Sequence, residues 1–181
     1  MLRCDDDAAI TPLCRNSGLW SGLSLMPDLK LIALDGNDLS VISAHLQDAV
    51  VRQADMAYLP GEKRFAAVLN RFDWATAVSN NGSKPPAKTD GERRRTGLRL
   101  ERVLSAQLQG LNIKDKSATL ALLAILFEPS KVTEAADGHV TLTFSGGAAI
   151  RLHVECLEVE MKDLGAAWAV AHTPSHPEPK S

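Results

Sequence analysis

After Met26 the chain is dominated by a two-residue alternation of apolar and polar side chains broken by short turns, which confines it to folds built on a sheet with one face in a core. Val140-Thr141-Leu142-Thr143-Phe144 alternates, Ser145-Gly146-Gly147 turns, and Ile150, Leu152 and Val154 alternate again, which predicts a hairpin. A second hairpin is predicted from Val50–Leu59 and Arg64–Phe72. The Pro60-Gly61-Glu62-Lys63 segment between them carries turn chemistry, since Pro presets φ and Gly permits a positive one. Leu29 to Leu34 reads as a first strand. Thr119 to Phe127 is a dense apolar run; periodicity alone leaves strand and helix open, and the neighbouring strands favour a central strand. Thr96, Leu98 and Leu100 alternate with Gly97, Arg99 and Glu101, then the apolar phase slips to Val103 and Leu108. That slip predicts one extended run with a bulge near Arg102.

Two stretches carry the helical period instead. Leu39, Ile42 and Leu46 recur at i, i+3 and i+7 behind Asp35-Gly36-Asn37-Asp38, where Asn37 or Asp38 is expected to accept from first-turn amides. Leu157, Met161 and Leu164 recur at i, i+4 and i+7 with Gly165 at the capping position, which predicts a short closing helix. The expected fold class is therefore α+β: a mostly antiparallel curved sheet or half-barrel of about six to seven strands. One helix follows the first strand and one is C-terminal. The outline resembles a pleckstrin-homology-like half-barrel with a helix plugging one end, an analogy of shape that carries no function.

The 181 residues suit one α+β domain over 28–170, with a flexible loop at 79–92 and a disordered tail at 171–181. Residues 1–27 are expected to be a disordered leader, broken by Pro12, Gly18, Gly22 and Pro27. It is either an extension upstream of a start at Met26 or a floppy tail. A net charge of −2 gives no global field for nucleic acid or an anionic membrane. Cys4, Cys14 and Cys156 form no disulfide framework and no paired zinc spacing. The leader carries Asp5, Asp6 and Asp7 where a signal peptide needs basic residues, and no apolar run is long enough to cross a bilayer, so a cytoplasmic location is expected.

Candidate site residues fall into a few groups. Arg151, His153 and Glu155 alternate with Ile150, Leu152 and Val154, so they share the polar face of a strand; His153 and Glu155 are the candidate acid–base pair, and a solvated sheet face is the plainer reading. Arg93, Arg94, Arg95, Arg99 and Arg102, with Lys84 and Lys88 in the adjacent loop, could grip an anion. Asp90, Glu92 and Glu101 dilute the cluster, and no exposed aromatic platform for nucleic-acid bases accompanies it. Arg71, within Asn70-Arg71-Phe72-Asp73-Trp74, is expected to pair with Asp73 or to rim a pocket. His45 and Asp48 make half a metal site, so no metal and no cofactor are expected, and Cys156, in phase with Val154, is read as a core thiol.

The segments Leu29–Leu39, Ile42–Val50, Asn70–Trp74, Arg93–Leu98, Arg102–Leu104 and Val154–Cys156 together resemble a bacterial family catalogued as domain of unknown function 2948, over roughly Leu29 to Trp168. The resemblance implies a small cytoplasmic protein starting at Met26, and no activity, substrate or cofactor. The functional expectation is a non-enzymatic interaction or ligand-binding module, with an unidentified protein or small anionic ligand as partner. The alternatives are a small enzyme or enzyme accessory using His153 and Glu155, with Arg71 or Arg99 placing an anion, and nucleic-acid binding through the arginine cluster of Arg93, Arg94, Arg95, Arg99 and Arg102.

Overall fold

The structure, a computed structural model, describes residues 28–73, 91–112, 115–130, 136–165 and 167–170. The leader at 1–27, Trp74, loop residues 79–90 and the tail from 171 lie outside the described residues, while Gly91 and Glu92, expected in the loop, already belong to a strand.

In chain order the elements are β1 (Lys30–Ala33), α1 (Gly36–His45), β2 (Val50–Leu59), a 3-10 turn at Pro60–Glu62, β3 (Arg64–Phe72), β4 (Gly91–Leu100) and β5 (Val103–Gln109). There follow β6 (Thr119–Pro129), β7 (Gly138–Phe144), a turn at Ser145–Gly147, β8 (Ala149–Val154), β9 (Val159–Asp163) and β10 (Trp168–Val170). The strands form one antiparallel sheet in the order β1-β9-β4-β3-β2-β6-β7-β8-β5, with β10 extending along β4 beyond β9. The sheet folds over on itself. Phe65, Leu69 and Leu98 from one half and Leu142, Ile150 and Leu152 from the other are buried in one apolar cluster.

Both predicted hairpins are present, and Thr119–Phe127 is strand within β6. The first helix also stands, with Leu39, Ile42 and Leu46 buried. Its cap is Asp35 rather than Asn37 or Asp38: the Asp35 carboxylate accepts from the Asp38 amide at 2.9 Å. The helix rests on β6, where the Ile125 amide donates to Ser43 Oγ at 2.9 Å.

Three expectations are corrected. The closing helix at Leu157–Leu164 is instead strand β9, and the sheet has ten strands among the described residues rather than six or seven. Leu157, Val159, Met161 and Asp163 are all buried, an alternation masked in the sequence because its last member is a carboxylate. The helical spacing of Leu157, Met161 and Leu164 was coincidental: Leu164 lies outside the core, against Gly97. The run through Arg102 is two strands meeting at a corner, not one bulged strand. Arg102 takes φ 57°, and the corner is held by Val103 N–H donating to Lys63 O at 2.7 Å and Glu155 N–H donating to Arg102 O at 3.0 Å. A register shift does occur one step later, between Val103 and Ser105. β10 was not anticipated.

Candidate functional site

The inner face of β3, β4 and β9 is apolar at one end and charged at the other. Arg71, Asp73, Arg94, Thr96 and Asp163 are all buried there. Arg71 donates to both oxygens of Asp163, Nε at 2.9 Å and Nη2 at 2.8 Å, and Thr96 Oγ1 donates to the same carboxylate at 2.8 Å. Arg94 Nε donates to Asp73 at 2.8 Å, while Arg71 reaches Asp73 only at 3.8 Å. The expected Arg71–Asp73 pair is thus the weaker contact. β9, read as a helix in the sequence, supplies the main partner. Burial is the largest single influence on Asp163 and pushes its carboxyl up, but the Arg71 and Thr96 hydrogen bonds, the Arg71 charge and the Leu29 amide together hold it below the usual range. The hydrogen bond from Arg94 to Asp73 raises the Arg94 guanidinium. His45, half-buried at the end of α1, is lowered by burial and then by the charge of Arg71. Two cations and two anions here neutralise one another, the pattern of an internal tie.

On the opposite face of β4, Arg99 meets Glu101 at 3.1 Å and Glu160 at 3.5 Å. Arg102 at the corner meets Glu158 at 3.4 Å and Glu155 at 3.9 Å. Arg93 turns in to the carbonyl of Asn70 at 3.0 Å. The arginine cluster of the sequence is therefore divided between the two sides of one strand, and Arg94, Arg99 and Arg102 each have a carboxylate partner.

His153 and Glu155 engage different neighbours. Strand β8 ends at Val154, and Glu155 pairs with Lys63 at 2.5 Å; that hydrogen bond holds its carboxyl below the usual range. His153 lies 3.5 Å from Asp137 and stacks on His139, ring centroids 4.9 Å apart and 18° from parallel. Arg151 reaches Glu128 at 3.6 Å on the same exposed face. Counting outward from the Ser145–Gly147 turn places residue 139 opposite 153, so His139 was within reach of the sequence and went unnoticed. Arg71, on the inner face of β3, and Arg99, on the outer face of β4, do not join His153 in any one site. Cys156 is half-buried, and among the described residues no group of three or more His, Cys, Asp or Glu could hold a metal ion.

An apolar concavity lies elsewhere, where β2 parts from β6. Its register with β3 jumps from Val51 opposite Leu69 to Met56 opposite Ala67. The extra residues form a bulge spanned by an Arg52–Asp55 ion pair at 2.9 Å. Past Arg52, β2 has no strand on its β6 side among the described residues; the amides of Gln53 and Ala54 are taken up by the carbonyls of Ala118 and Lys116. β5, the end of the sheet, is paired on its β8 side alone.

Between these two strand edges is a cleft of about 340 Å³. Met56, Phe65, Ala106, Leu108, Leu111 and Ile150 make its walls. Tyr58 Oη bridges it, donating to Leu104 O at 2.9 Å. Two further polar groups border it. The Gln53 amide donates from Nε2 to Asn112 O at 3.0 Å, while its buried Oε1 has no hydrogen-bond partner among the described residues. Lys116 is exposed at the rim and forms no ion pair among the described residues. None of these residues stood out in the sequence. The one signal available was the change of apolar phase in β2, from odd at Val51 to even at Met56 and Tyr58.

No helix among the described residues is long and apolar enough to cross a membrane. No curated protein and no solved structure matches the chain. A family model does, over residues 29–176, described as protein of unknown function (DUF2948). The chain belongs to this family, whose extent takes in every residue of the cleft.

Proposed function

We propose that this protein is a non-enzymatic binding module that takes a small ligand with an apolar body into the cleft between β2 and β5. The cleft itself carries the reading. It falls in the size range of ligand pockets, has apolar walls drawn from four strands, and has three polar groups at its border that could fix an orientation. The supporting geometry is that of an antiparallel sheet left open along one seam, beside the place where the register of β2 with β3 shifts. Arg94, Arg99, Arg102 and Arg151 are engaged by carboxylates, whereas Lys116 stands at the rim of the cleft, placed to meet an incoming anion.

Anilinonaphthalene sulfonate, an apolar anion whose emission rises in a dry site, tests this with the whole chain. Saturable binding at one site per chain is expected, with loss of that site in Ala106→Phe, which fills the cleft. Dye binding that survives Ala106→Phe, in a variant that still unfolds cooperatively, would place the ligand elsewhere and remove the proposal.

A further inference from the structure

We infer that the occupant of the cleft is the C-terminal end of an extended peptide, lying along the seam with its last apolar side chain between the walls and its terminal carboxylate at Lys116. The inference rests on the binding reading above and deepens it. Three features single out this chemistry from other apolar ligands.

The first is that both long sides of the cleft are strand edges. Among the described residues β5 has a sheet partner on one side only, and β2 from Met56 to Leu59 pairs with β3 alone. Main-chain N–H and C=O groups without a ladder partner are strong binding groups, and an extended peptide supplies the matching set at the matching spacing. β5 reads Val-Leu-Ser-Ala-Gln-Leu-Gln and contains neither a charge nor a proline, the usual devices that keep another strand off an edge. β1, at the other end of the sheet, is only four residues long and begins with Lys30.

The second feature is the orphaned Gln53 Oε1. The Gln53 amide nitrogen is committed to Asn112 O, so the unsatisfied atom is an acceptor, and what completes it is a donor. A peptide N–H is such a donor; a hydrocarbon tail is not. The third is charge. Lys116, without an ionic partner among the described residues, complements a carboxylate at the rim. An aliphatic acid would satisfy Lys116 and the walls but leave the strand edges and Gln53 unmet.

Isothermal titration of the whole chain separates these possibilities, using acetylated pentapeptides that end in leucine, valine or phenylalanine, each as the free acid and as the C-terminal amide, with octanoate as the non-peptide acid. At least one free-acid peptide is expected to bind, displace the dye and lose about tenfold in affinity on amidation. Lys116→Met should cost the free acid a similar factor and leave the amide unchanged; Lys116 is exposed, so this variant keeps its fold. Equal binding of acid and amide would overturn the carboxylate assignment. Dye and octanoate binding without any peptide would overturn the peptide and keep the cleft. Failure of peptide, octanoate and dye together would remove both readings.

Discussion

Arg71 and Asp163 show what one buried pair does in this chain. They lie 92 residues apart, and Asp163 is satisfied by Arg71, Thr96 and the Leu29 amide. Asp163→Asn leaves a buried guanidinium without its main counter-charge, Asp73 being 3.8 Å away, and a loss of about 3 kcal/mol is expected in urea unfolding. Replacing both partners, as Arg71→Met with Asp163→Leu, should recover much of that loss. The same group gives a pH dependence. Its folded pKa is depressed, so its contribution is complete above the unfolded carboxylate value of about 3.9 and is lost as pH falls through the folded value. Thr96→Val removes a hydrogen bond to the charged form and should move acid unfolding to higher pH. His45 acts earlier in an acid titration: with its folded pKa also depressed, its neutral form suits the fold, and stability should begin to fall below about pH 6.5. His139, lowered by burial and by Arg151 and His153, adds to the same window. Thermal melts between pH 7.5 and 5.5 should therefore be flatter in the His45→Gln, His139→Gln double variant than in the parent.

Among the elements, the β6–β7 ladder contains the tightest backbone approach. A Cβ at Gly138 would sit 2.6 Å from Glu128 O and from the Phe127 ring, and backbone of a paired strand cannot withdraw. Gly138→Ala should lower stability by about 1–3 kcal/mol, read as a shift of the urea midpoint. The elements also show what the sequence could reveal. The helix and the two hairpins were legible because turn residues and apolar period agreed. β9 was not, because Asp163 stands at an inward position that only its partner on a distant strand explains. The split of β4 from β5 was half legible: the phase slip at Val103 was seen, but a left-handed Arg102 has no signature in sequence. The arginines were visible as a cluster, yet their fate depended on which face of β4 each took and which carboxylates the fold brought opposite. The cleft was nearly hidden: beyond the change of apolar phase in β2, it arises from unpaired edges of two strands, and an unpaired edge has no residue signature.

At the scale of the molecule, the seam between β2 and β5 is bridged by the Tyr58 hydroxyl. Tyr58→Phe should cost about 1 kcal/mol in unfolding free energy. It should also speed hydrogen exchange of the amides along Met56–Leu59 and Leu104–Gln107 more than those of β7. A uniform change across the sheet would mean that the hydroxyl has no particular role at the seam. The sheet also joins distant parts of the chain: Lys30 lies beside Lys162, and Val50 beside Ala121. On a ribosome adding roughly 5–20 residues per second, β1 waits on the order of ten seconds for its only neighbour to be made. Through that interval Leu31 and Ala33 have no sheet to join, and β3 lacks the Asp163 carboxylate that will pair with Arg71. The nascent protein therefore commits to its final shape only once β9 has emerged and the first strand can close the edge of the sheet.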